Sequence, residues 1–156
     1  MNNVLLVVLT TLHIFCAVAW LGSFIYVILV MFPGMGKMKG EGRREFLATI
    51  MPRHEYFTLA FGTATIGFGL ALGGLFYLSG NVSPTWENYM LPGIMAAGVA
   101  YVLMLVGMVS LGKMVKSGKL AMLDSRPPVA MMLGMVLGLV LLIVSFVFMV
   151  LAATLG

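Results

Sequence analysis

Residues 12–27 read LHIFCAVAWLGSFIYV. Apart from His13 the stretch is apolar, aromatic or small, and it lies within a charge-free run over residues 3–32. About 20 such residues suffice for a helix to cross the hydrocarbon core of a bilayer. The segment therefore reads as membrane-spanning, and its imidazole needs a reason to be there.

Outward from that run, the whole chain shares its character. Its 156 residues are 62% hydrophobic and 9% charged, with a mean hydropathy of +1.11, whereas a water-soluble domain carries roughly a quarter charged residues. Further long apolar runs cover residues 52–78, 89–112 and 128–155. Short connections between four spans predict an all-α integral membrane four-helix up-down bundle, a single domain over 1–156. The beginning, Met1-Asn2-Asn3, has no basic segment and leads into a run too long for a secretory signal, so the first helix is expected to be retained. Cys16, the single cysteine, offers no intrachain disulfide. Pro52, Pro92 and the pair Pro127–Pro128 fall at or near the expected helix starts, where a missing N–H costs nothing, and Pro33 follows the first span.

Charge suggests an orientation. Lys37, Lys39, Arg43, Arg44 and Arg53 occupy the first connection and the start of the second helix; Lys113, Lys116, Lys119 and Arg126 occupy the third. The second connection, SGNVSPTWEN, holds only Glu87. Basic connections stay cytoplasmic, so both termini are expected outside, with Trp86 and Tyr89 in the outer interfacial belt. The net charge of +4 then reports membrane orientation rather than nucleic-acid binding. The first connection, PGMGKMKGEGRREF, reads as flexible up to Gly42, and residues 43–51 as either a solvated connection that attracts anionic lipid, the preferred reading, or a short amphipathic helix on the membrane surface.

Small residues recur at helical spacing: Thr58, Gly62, Thr65 and Gly69 in line with His54; Gly93, Ala97 and Ala100 ahead of Met104; and Gly134 with Gly138. Such stripes let helices approach closely in lipid, and a flat macrocycle wedged between helices needs the same thing.

His13 lies about 15 Å inside the helix end at 1.5 Å per residue, with Ala17, Trp20, Phe24 and Val27 following on its stripe. An intramembrane imidazole is either hydrogen-bonded, to Thr10, to a carbonyl of the third or fourth helix or to water, or it is a ligand. His54, between Arg53 and Glu55, reads as an interfacial residue. Counted along the helices, the two histidines are more than about 20 Å apart across the membrane, so a single haem cannot take both. Methionine, 15 residues in all, is the other candidate ligand for haem iron or Cu(I). Met90 and Met95 lie near the depth of His13, while Met104, Met108, Met131 and Met135 gather at the opposite end. Methionine also fills core gaps.

His13, Trp20 seven residues later, the following Leu-Gly and Tyr26 resemble the first helix of a superfamily of small bacterial and archaeal membrane proteins. It includes the copper-resistance D-like proteins and the membrane-bound protoporphyrinogen IX oxidases. IMPRHEYFTLAFG resembles the start of the oxidases' second helix, Trp86 the tryptophan opening their third, and Pro127 and Pro128 the proline opening their fourth. The resemblance implies a prokaryotic plasma-membrane location and haem b bound by His13 beside Trp20. The oxidases' lysine, four residues after the third-helix tryptophan, is Met90 here, and their Pro-Arg pair after the tyrosine is absent. Met90 as sixth ligand implies a low-spin electron carrier rather than an oxidase.

Three functions fit. The first is a haem b membrane protein exchanging electrons with quinone or a partner protein. The second is a copper-handling protein using His13, Cys16 and methionines. The third is a non-catalytic subunit packed in a homo-oligomer or against other membrane subunits. No Walker loop, HExxH, CxxC or intramembrane carboxylate pair is present in the sequence.

Overall fold

A computed structural model describes residues 3–38, 40–80, 83–116 and 129–155. Among these residues the long elements are all helical and none is a strand. Helix α1 (Asn3–Tyr26) widens into a π-turn (Val27–Met31) and continues as α2 (Phe32–Lys37); α3 covers Gly40–Leu78, α4 Pro84–Lys116 and α5 Val129–Leu155. Pro127, Pro128, Lys119 and Arg126 lie outside the described residues.

Except for α5, the helices are longer than the apolar runs suggested. The π-turn has a local cause. Pro33 cannot donate to the carbonyl of Leu29, and its ring would press on it. Instead the Phe32 N–H reaches back to the Val27 carbonyl, and the chain stays helical to Lys37. The connection expected to be flexible shrinks to a reversal at Met38, which is extended, and Gly40, whose φ of +59° suits glycine. The short surface helix and the second span are one helix, α3, with Pro52 inside it. Tertiary packing overrides the proline: Leu47 and Met51 bury against Val27, Met31 and Met35 in a shared core.

At the other end, Gly80 (φ +66°) closes α3. Ser83 starts α4 earlier than expected: its Oγ accepts the Trp86 N–H at 3.0 Å and its carbonyl accepts the Glu87 N–H. Pro84 takes the first helical position, and Pro92 falls inside α4 rather than at its start.

The small-residue stripes are packing faces. Trp20, only 1% exposed, lies on Gly62, where a Cβ would stand 3.0 Å from the indole. Seven residues back along α1, His13 lies on Gly69, seven residues further along α3. The two helices therefore pair antiparallel with a constant register. Gly93 of α4 meets Phe148 and the Ser145 carbonyl of α5, and Gly138 of α5 receives the Phe24 ring; Gly134 has open space instead. Contacts are dense within the α1–α3 and α4–α5 pairs and sparse between them. Between the pairs, Trp20 meets Tyr101 edge-on, and the Tyr101 hydroxyl hydrogen-bonds Thr63 Oγ1 at 2.7 Å.

Outward faces carry large apolar residues such as Val7, Phe15, Leu91, Val99, Leu133 and Val140. Among the described residues, four helices are long and apolar enough to cross a membrane.

Candidate functional site

Where α3 hands over to α4, the two helix pairs part and leave a cleft of about 470 Å³, in the size range of small-molecule sites (~300–1,000 Å³). All four long helices line it. α1 contributes Thr10 and His13, α4 contributes Met90 and Ile94, and α5 contributes Met149 with Ala152 and Ala153. The α3 wall includes Gly69, which the His13 ring covers, and Gly73, which has open space before it. At the rim Phe76 meets Trp86 with ring centroids 6.0 Å apart.

His13 is held on that wall. Its Nδ1 lies 3.0 Å from the Thr65 carbonyl. Because a carbonyl only accepts, Nδ1–H is the donor. The partner belongs to the second long helix, α3, and not to the helices or Thr10 named from sequence. No hydrogen bond engages Nε2 among the described residues. Orientation of one ring nitrogen by a backbone carbonyl is how metal-ligating histidines are commonly held.

Of the other residues singled out in the sequence, Met90 shares the cleft with His13. Trp20 does not line it; the indole is sealed between α1 and α3, and its Nε1 has no hydrogen-bond partner among the described residues. Cys16 is buried but is also absent from the lining. Met95 is 63% exposed on the outward face of α4. Met149 was not picked out from sequence; it looks like one more apolar residue in a uniformly apolar span, and only the packing of α5 brings it to the cleft.

His54 is half-buried against α1, with Nε2 3.3 Å from the Ser23 carbonyl and 3.4 Å from Thr58 Oγ1, and its ring stacks on Tyr26. Ser23 Oγ in turn donates to the Trp20 carbonyl at 2.6 Å. Ser23 is ten residues from His13, so the histidines are separated by only about 15 Å along the seam, less than counting from the expected helix ends gave. That is still too far for one iron.

Among the described residues, no three of His, Cys, Asp and Glu come together as a metal site. The cleft instead offers one imidazole and two thioethers. Four apolar helices around a histidine-bearing cleft give the build of a multi-pass membrane protein in a lipid bilayer. No family model, curated protein or solved structure matches the chain.

Proposed function

We propose that this is a membrane haem b protein that exchanges electrons with quinone or a partner protein, in which His13, through Nε2, and Met90 would hold the haem. The observation that carries this reading is the hold on His13: Nδ1–H is committed to Thr65, leaving Nε2 as the nitrogen for a ligand on a cleft that Met90 also lines. The open wall at Gly73 and the small Ala152 and Ala153 suit a flat ring between the helix pairs. Bound haem would supply a one-electron redox centre. The chain's residues would hold it, keep bulk water away through Leu72, Ile94 and Phe76, and fix its orientation. With Met90 in the place of the oxidases' lysine, an electron carrier fits better than a porphyrinogen oxidase.

The same reading places the chain in the superfamily it resembles, as an up-down bundle in a prokaryotic plasma membrane with basic connections cytoplasmic, both termini outside, and the cleft in the outer half. Protein purified in detergent and supplemented with haem should show a Soret band and reduced α and β bands with dithionite. His13→Ala should abolish them. No Soret band in the wild type would refute the assignment.

A second reading, copper handling, gains from Met149. One imidazole and two thioethers make a donor set for Cu(I), whereas Cys16 lies off the cleft. On this reading copper content falls in Met149→Leu and is unchanged in Cys16→Ala.

A further inference from the structure

A neutral imidazole carries one N–H and one lone pair, and which nitrogen has which decides what it can bind. In His13 the Thr65 carbonyl takes the Nδ1 proton, so Nε2 presents a lone pair. This arrangement needs the ring to lie directly on the α3 backbone. A Cβ at residue 69 would stand 2.9 Å from His13 Cε1 and 3.3 Å from Nδ1, too close for the ring to stay. At Gly73, one turn along the same wall, a Cβ would meet nothing within 4 Å.

We propose that the Thr65 carbonyl and the missing side chain at Gly69 form a rail on α3 that fixes the His13 tautomer. In the cleft His13 thereby offers an electron pair and no proton, which suits a metal centre or a hydroxyl proton. The inference rests on the cleft being the ligand site, but not on haem being the ligand. Gly69 and Thr65 act through His13 and are positioning residues.

The test uses the full chain in lipid nanodiscs, labelled with 15N-histidine and assigned with His13→Gln. Wild-type His13 should give the pattern of a neutral ring protonated at Nδ1. Gly69→Ala should mix or reverse the tautomers, and Gly73→Ala should preserve them. Titrations with haem and with Cu(I) follow. The metal ligand that binds wild type should weaken by about 10–100-fold in Gly69→Ala, the range for losing a partner that orients a ligating histidine. Gly73→Ala should bind it as wild type does.

A wild-type ring protonated at Nε2 would overturn the proposal whether or not Gly69→Ala folds. So would a folded Gly69→Ala with wild-type tautomer and affinity. Failure of the haem reading looks different: neither haem nor its spectrum appears in wild type, while the Nδ1–H tautomer and its dependence on Gly69 persist.

Discussion

Gly62 and Trp20 show how much one missing side chain decides in this protein. The indole fits because residue 62 has no Cβ, so Gly62→Val overpacks the seam. Thermal unfolding in detergent should show a loss of about 1–3 kcal/mol. Trp20 also buries an N–H that has no partner among the described residues, and such a donor costs roughly 1–3 kcal/mol. Trp20→Phe removes that donor while keeping a ring against Tyr101. It should be far milder than Trp20→Ala, for which a loss of roughly 3–5 kcal/mol is expected; equal losses in the two variants would argue that the indole N–H is satisfied. At Ser23, Thr58 Oγ1 lies 3.3 Å from the serine hydroxyl. Hydrogen bonds between membrane helices average about 0.6 kcal/mol, so Ser23→Ala should be nearly silent in the same assay.

At the level of elements, the π-turn and the hairpin beyond it belong together. Val27, Met31 and Met35 are all buried although they are four residues apart. On a regular α-helix each such step drifts about 40° round the axis at 3.6 residues per turn. A wider turn reduces that drift and keeps the three against Leu47 and Met51 of α3. The turn that accommodates Pro33 therefore also sets the face α2 presents. Met51→Ala opens this cluster and should cost about 2–5 kcal/mol. Hydrogen exchange should accelerate in residues 40–52 and stay unchanged around Thr65, because the two core clusters share no buried residue.

Across the whole molecule, two closely packed helix pairs matter more than any one helix. α1 with α3, and α4 with α5, pack closely and meet each other sparingly, and the cleft opens where they part. In the proposed orientation, Glu87 and the rim of the cleft face outward and Lys37 faces the cytoplasm. In a Cys16→Ala background, a cysteine placed at Glu87 should react with a membrane-impermeant thiol reagent added to intact cells. One placed at Lys37 should react only after the membrane is opened. The reverse pattern would invert the bundle.

Much of this was readable from the chain alone. The apolar runs mark four spans, because lipid tolerates no unsatisfied backbone and few charges over that length. The stripe of Thr58, Gly62, Thr65 and Gly69 shows which side of α3 is approached closely, because spacing along a helix is spacing around it. Helix ends were less legible: Pro52 and Pro92 looked like starts, and only the burial of Leu47 and Met51 and the Ser83 cap carried the helices past them. The partners of His13, the burial of His54 beside Ser23, and the arrival of Met149 beside Met90 were decided by tertiary structure. Sequence fixes a residue's angle on its own helix, whereas the register of that helix against its neighbours comes from packing summed over the whole interface.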